Sequence, residues 1–284
     1  MFRIVEKEWL ADNICRMSVE APRLAKAARP GQFLIVRDNE KGERVPLTIC
    51  DYDGQAGTVD IVIQTIGAST KEMCAYNVGD CFADVVGPLG VPSEFISKTP
   101  EELKGRRYLF IAGGVGTAPV YPQVKWLKAH GAAVDVIMGA KNVSLVILED
   151  KMRALCDNLY VCTDDGSAGF KGMVTACAEE LLDGGHEYDE AVAIGPMIMM
   201  KFVSLTLKKY NIPLTVSLNT LMVDGTGMCG ACRVTVGGKT RFACVEGPEF
   251  DGYAVDYDEA MRRQGMYRPQ EIEEDHKCHL GLGK

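Results

Sequence analysis

RYLFIAGGVGTAP, residues 107–119, sets an unbroken apolar run directly against a glycine-rich turn. Tyr108 to Ala112 show no polar alternation, as expected of a strand buried on both faces. Gly113, Gly114 and Gly116 allow a tight turn before Thr117-Ala118-Pro119 opens a helix. The same alternation continues downstream. Strands are expected near 107–112, 133–138, 158–163 and 190–194, with helices near 117–130, 144–155, 172–183 and 196–209. Strand and helix in alternation imply βαβ crossovers and a parallel sheet.

Working outward, residues 2–97 carry short apolar runs such as Phe33-Leu34-Ile35-Val36 and Val59-Asp60-Ile61-Val62-Ile63, separated by Gly and Pro. That spacing predicts a small antiparallel barrel. A polar, helix-like stretch from Thr99 to Lys104 puts the boundary near residue 100. Past Val216 the pattern gives way to a Gly- and Cys-rich stretch, and after Gly252 to a polar, acidic tail. The expected organisation is a barrel (1–100), an α/β domain (101–216), a cysteine module (217–252) and a tail (253–284), an α+β multidomain chain. Its 284 residues, 47% hydrophobic, suffice for two compact domains and an appendage.

The net charge of -8 and the lack of a long basic run argue against nucleic acid or anionic lipid as a partner. Met1-Phe2-Arg3-Ile4-Val5-Glu6 lacks the basic-then-apolar character of a secretion signal, and no apolar run reaches membrane-spanning length. A reducing cytoplasm is therefore expected. There, eleven cysteines point to metal binding or buried thiols more than to disulfides.

The sharpest chemical signal is Asp224-Gly-Thr-Gly-Met-Cys229-Gly-Ala-Cys232, followed by Cys244 after eleven intervening residues. With Asp224 as first member, the spacing is that of the plant-type ferredoxin cluster, whose first ligand is ordinarily cysteine. Gly225, Gly227 and Gly230 would let backbone amides approach inorganic sulfide, and a carboxylate, though harder than thiolate, can bind iron. Zinc ribbons share Cys-x2-Cys, but a second such pair is missing here. A redox dithiol should open a helix, whereas Arg233-Val-Thr-Val reads as a strand. Cys278, between His276 and His279, is the rival fourth ligand. Most of the remaining cysteines, from Cys15 to Cys177, are expected to be small buried hydrophobes.

Three loops share one edge of the expected sheet: Gly113-Gly114-Val115-Gly116-Thr117, Asp164-Asp165, and Gly195-Pro196-Met197. C-terminal strand ends are where such sheets bind nucleotides, and an acidic residue there can hold a ribose hydroxyl while repelling a 2′-phosphate, favouring NAD over NADP. In the barrel, Arg44-Val-Pro46-Leu47-Thr48 offers a cation and a hydroxyl on a strand, and Gly67-Ala-Ser69-Thr70 precedes a helix. A flavin dinucleotide needs both: Arg44 for pyrophosphate, Thr48 for the ring or ribityl chain, and Ser69 and Thr70 for phosphate.

Barrel strip, glycine loop and cysteine cluster in this order resemble the ferredoxin-NADP reductase superfamily, in the branch with a C-terminal 2Fe-2S module. Two groups within it compare over the whole chain: the electron-transfer subunit of two-component dihydroorotate dehydrogenase, and the small subunit of NADH-dependent reduced ferredoxin:NADP oxidoreductase. The second is the closer resemblance, because its cluster uses Asp with three cysteines; the segment Gly247 to Gly252 and Val255-Asp256 are similar as well. The superfamily's strip aromatic is Leu47 here, and its Cys-Gly before the last loop is Ile194-Gly195.

The resemblance implies FAD against Arg44, Pro46, Leu47, Thr48, Gly67, Ser69 and Thr70. It implies NADH against Gly113, Gly114, Val115, Gly116, Thr117, Asp164, Asp165, Gly195, Pro196 and Met197, and the cluster on Asp224, Cys229, Cys232 and Cys244. It further implies hydride exchange between nicotinamide and flavin, single electrons passed on to the cluster, and a larger flavin and iron-sulfur subunit that binds NADP and ferredoxin. No side-chain acid or base is required. The rivals are delivery of dihydroorotate electrons to NAD and a zinc-stabilised, non-enzymatic binding module.

Overall fold

A computed structural model describes residues 2–279, and the side chains of Asp275, Lys277, Cys278 and His279 lie outside the described residues, including the rival ligand Cys278. The chain begins with β1 (Phe2–Ala11), β2 (Ile14–Glu20), the short helix α1 (Pro22–Ala27), β3 (Phe33–Arg37), β4 (Val45–Asp53), β5 (Thr58–Gln64), α2 (Ala68–Ala75), β6 (Cys81–Phe82) and β7 (Asp84–Leu89). The strands form one antiparallel sheet in the order β6-β1-β2-β5-β4-β3-β7, curled around a core that includes Ile4, Met17, Leu34, Val36, Ile49, Ile61 and Ile63. This is the expected antiparallel barrel. Its β-branched residues suit a pleated surface buried on its inner face.

After α3 (Pro100–Leu103), capped by Thr99 accepting from Glu102 N at 3.3 Å, the second unit runs β8 (Arg107–Gly113), α4 (Thr117–Ala129), β9 (Ala133–Ala140), α5 (Glu149–Arg153), β10 (Asn158–Thr163), β11 (Phe170–Lys171), α6 (Val174–Asp183), β12 (Glu190–Ile194), α7 (Met197–Leu207) and β13 (Leu214–Ser217). These strands are parallel, in the order β11-β10-β9-β8-β12-β13. From β8 the chain first winds outward through β9 and β10, then returns to place β12 on the other side of β8. That reversal opens a crevice between the C-terminal ends of β8 and β12.

The helix expected over 144–155 is shorter than its pattern suggests. A single turn at Val143–Leu145 is followed by Leu148 with φ 59, and α5 spans only Glu149–Arg153. A left-handed residue cannot continue a helix, so the segment splits in two.

The remaining elements are β14 (Arg233–Val236), β15 (Lys239–Phe242), α8 (Ala243–Glu246), β16 (Glu249–Asp251), α9 (Tyr257–Gln264) and α10 (Arg268–His279). Strand β16 returns to the large sheet and pairs antiparallel with β13. The polar segment after 252 is folded: Asp256 caps α9 by accepting from Glu259 N at 2.9 Å, Tyr257 and Ala260 join the sheet core, and α10 lies against α2. Its acidic first turn and basic last turn match the helix dipole, so a stretch that reads as tail has its own reason to be helical. No helix among the described residues is long and apolar enough to cross a membrane.

Candidate functional site

Two of the three expected nucleotide loops meet at the crevice. Gly116 ends the turn after β8 with φ -57, and a Cβ there would stand 2.2 Å from the carbonyl oxygen of Ile194 at the end of β12. A Cβ on Gly195 would lie 3.1 Å from Gly113 Cα. Gly114, with φ +56, has open space where its side chain would be, so its backbone faces the cleft. On the β9 side of the turn, Gly114 and Thr117 border a separate narrow cleft with Met138, Gly139, Ala140 and Val146. Glycines here serve close approach of backbone to backbone on one side and of ligand to backbone on the other.

The methionines divide differently from expectation. Met197 is buried in the sheet core, directed away from the crevice, while Met199 packs over it: a Cβ on Gly113 would be 2.3 Å from Met199 Sδ. The run Met197-Ile198-Met199-Met200 does not reveal which member faces the ligand side, because that depends on how α7 rotates over the sheet. Pro196 stands exposed at the N-cap of α7, and Val115 packs toward the barrel with Ile14, Cys50 and Val62.

In the third loop the two acids separate. Asp165 accepts from Ser167 Oγ at 2.6 Å and from Ser167 N at 2.9 Å, contacts that hold its carboxyl below the usual range. Asp165 thus closes its own turn, and Asp164 presents an exposed side chain beside it.

Along β4, Val45 and Leu47 pack toward the barrel core, so by strand alternation Pro46 and Thr48 face outward. Leu47 therefore reaches the flavin strip only through its backbone. Thr70 Oγ1 accepts from the N–H groups of Ile66 and Gly67 at 3.0 and 3.1 Å, and Ser69 Oγ donates to Glu43 Oε2 at 2.5 Å. Both hydroxyls, expected on phosphate, are engaged within the protein. What remains for a phosphate is the row of first-turn N–H groups of α2, with open space above Gly67. Arg44, expected on pyrophosphate, instead donates Nε to Val223 O at 2.9 Å and Nη2 to Asp224 O at 3.4 Å. The sequence distance between these residues hides that contact.

The cysteine loop folds onto the barrel: Cys232 and Cys244 pack with Met222 and Ala243 against Phe33 and Ile35 of β3 and against Val86 and Leu89 of β7. The four expected ligands come as two pairs. Cys232 Sγ and Cys244 Sγ are 3.2 Å apart and buried. Asp224 accepts from Thr226 N and Cys229 N, both at 2.8 Å, which hold its carboxyl below the usual range, and Cys229 is exposed. Among the described residues no three His, Cys, Asp or Glu side chains gather about a single ion. A mononuclear zinc site is thus poorly served. A two-iron cluster, whose irons each take two protein ligands, suits two pairs.

Other features of the loop fit that group. Gly225, Gly227 and Gly230 all have positive φ (74, 84 and 68), and N–H groups approach sulfur from Ala231 to Cys229 and from Cys244 to Cys232, each at 3.5 Å. Burial, then the neighbouring Cys232, pushes the Cys244 thiol up to about 12. A bound metal would reverse that preference by displacing the proton.

Residues 219–256 match the family model of the iron-sulfur cluster binding domain of dihydroorotate dehydrogenase B. The chain is 61% identical over 272 residues to an uncharacterized protein of Clostridium beijerinckii, covering 95% of this chain and 92% of that one. It is 45% identical over 268 residues to a Thermotoga maritima homolog of the dihydroorotate dehydrogenase B (NAD(+)) electron transfer subunit, covering 94% and 92%. A chain in the structure of an NADH-dependent reduced ferredoxin-NADP oxidoreductase, studied for flavin-based electron bifurcation, superposes with a TM-score of 0.91 at 42% identity, covering 99% of this chain and 98% of that one. On these grounds the chain belongs to the family of iron-sulfur oxidoreductase electron-transfer subunits that includes the dihydroorotate dehydrogenase B electron transfer subunit and its homologues.

Proposed function

We propose that this chain carries electrons between NAD(H), FAD and a 2Fe-2S cluster as the small subunit of an electron-bifurcating, NADH-dependent ferredoxin:NADP oxidoreductase. The observation that carries this reading is the placement of the cysteine loop directly on β3 and β7, beside the β4 strip, so that flavin and cluster share one wall of the barrel. When bound, the flavin would take a hydride from the nicotinamide and release electrons singly to the cluster.

The protein's share is positioning and exclusion of water. Pro46 and Thr48 line the flavin strip with the backbone of Leu47, and the amides from Ala68 to Thr70, beside the open space at Gly67, would hold phosphate at the start of α2. The backbone of Gly113 to Thr117 and of Gly195 to Met197 would carry the dinucleotide, with Asp164 better placed than Asp165 for a ribose hydroxyl. Asp224 and Cys229 hold one iron and Cys232 and Cys244 the other. The domain division at about 100 and 216 separates the flavin barrel from the nucleotide sheet, and the cysteine module bridges both. The partner is a larger flavin and iron-sulfur subunit that binds NADP and ferredoxin, and the pair works in the cytoplasm.

Anaerobic purification with a visible spectrum and counts of iron, acid-labile sulfide and flavin tests this. Flavin bands with about two iron and two sulfide per chain are expected for such a cluster. Asp224→Ala should lose or weaken the cluster, and Asp224→Cys should shift its spectrum. A colourless, zinc-loaded protein would overturn the redox reading. The second reading, a dihydroorotate-linked subunit, is favoured by the family model matched at 219–256; a pyrimidine-binding partner co-purifying with the chain would select it.

A further inference from the structure

We infer that Arg44 is a positioning residue for the cluster: it clamps the Asp224 turn to the barrel and keeps a positive charge beside the loop that would hold the cluster. The inference rests on Asp224 being a ligand. Its geometric basis is that two adjacent backbone carbonyls, Val223 O at 2.9 Å and Asp224 O at 3.4 Å, accept from Nε and Nη2 of one guanidinium. A planar fork can serve two such acceptors together, which a lysine ammonium cannot reproduce.

Val223 is 49% exposed, so burial of its side chain does not hold it in place. On the other flank, the next residue is pressed onto the barrel: a Cβ on Gly225 would stand 2.7 Å from Leu89 Cδ1 and 2.9 Å from Ile35 Cγ1. The Asp224 carboxylate meanwhile accepts from Thr226 N and Cys229 N. Arg44 thus grips the main chain of Asp224 and leaves the carboxylate's orientation to the loop's own amides.

Asp84 Oδ2 stands 4.0 Å from Arg44 Nη1 and accepts from Arg37 Nη2 at 3.3 Å. Neutralising Arg44 leaves this patch one charge more negative. A cluster that gains an electron on reduction is then harder to reduce. By the Coulomb interaction of one charge in a solvated setting, the reduction equilibrium should shift about fivefold.

The test uses the full chain with flavin and cluster bound, as wild type, Arg44→Gln and Arg44→Lys. The readings are the reduction equilibrium of the cluster, its electron paramagnetic resonance spectrum, the rate of iron release to a chelator, and flavin content. Arg44→Gln should keep its flavin, shift the equilibrium about fivefold toward the oxidised cluster and release iron several-fold faster. Arg44→Lys should restore the equilibrium but not the slow release. Should Arg44→Gln fail to fold, the release rate of Arg44→Lys decides. Loss of flavin with an unchanged cluster would assign Arg44 to pyrophosphate and overturn the inference, as would no change in either reading. Asp224→Cys in the same series separates the premise: an unaltered resonance spectrum there removes Asp224 from the ligand set, whatever the Arg44 variants do.

Discussion

Glu249 is a half-buried residue whose carboxyl the proposed electron path does not use. Its Oε1 accepts from Ser93 Oγ and from Gln123 Nε2, both at 2.9 Å, where the barrel's last loop, α4 and β16 meet. Burial pushes it from 4.5 up to about 7, against the pull of those two hydrogen bonds and with Glu190 adding to the rise. Because the folded value lies above the unfolded one, the folded state holds a proton the unfolded chain has lost between those pH values. The associated stability is full below about pH 4.5 and is lost as pH rises through 7. A difference of that size is worth about 3 kcal/mol. Glu249→Gln keeps an acceptor for Ser93 and Gln123 and cannot ionise, so the denaturant midpoint of the variant should vary much less between pH 5 and 8. An equal slope in wild type and variant would place the pH dependence elsewhere.

At the scale of elements, the packing of α4 on the sheet depends on one missing side chain. Gly116 has an ordinary helical φ of -57, so it is the approach to Ile194, with O 2.2 Å and C 2.7 Å away, that forbids a Cβ there. Gly116→Ala should push the start of α4 away from β12, cost about 1–3 kcal/mol as overpacking does, and lower NADH-linked diaphorase activity while the cluster spectrum stays unchanged. Thermal unfolding and a dye-reduction assay would check both halves; unaltered activity would mean that the crevice between β8 and β12 is not the nicotinamide side.

Across the whole molecule, the cysteine module joins parts that are otherwise distant in sequence. Its loop packs on β3 and β7, Val234 enters the core of the parallel sheet, and β16 extends that sheet beyond β13. A ligand that binds only the folded loop stabilises everything coupled to it. Anaerobic removal of the cluster by a chelator should therefore lower the melting temperature of the barrel and α/β signals together. Independent melting, with the barrel unaffected, would show that the module is an appendage.

Much of this was open to sequence reasoning because it rests on local chemistry. The parallel sheet follows from apolar runs alternating with helical periods, the glycine turn after Ala112 from the need for bare backbone, and the cysteine spacing from the size of the group it encircles. Other features come from residues far apart in the chain and were settled only by tertiary structure. Arg44 reads as a phosphate cation until the loop at 223–224 lands beside it; Met197 and Met199 are told apart only by the rotation of α7. Nothing local marks Glu249 before Ser93 and Gln123 close over it, and the polar segment after Gly252 reads as tail until Tyr257 finds the sheet. Periodicity and spacing act within a few turns of chain, whereas the partner of a charge or the facing of a side chain is decided by packing, which brings together what the sequence keeps apart.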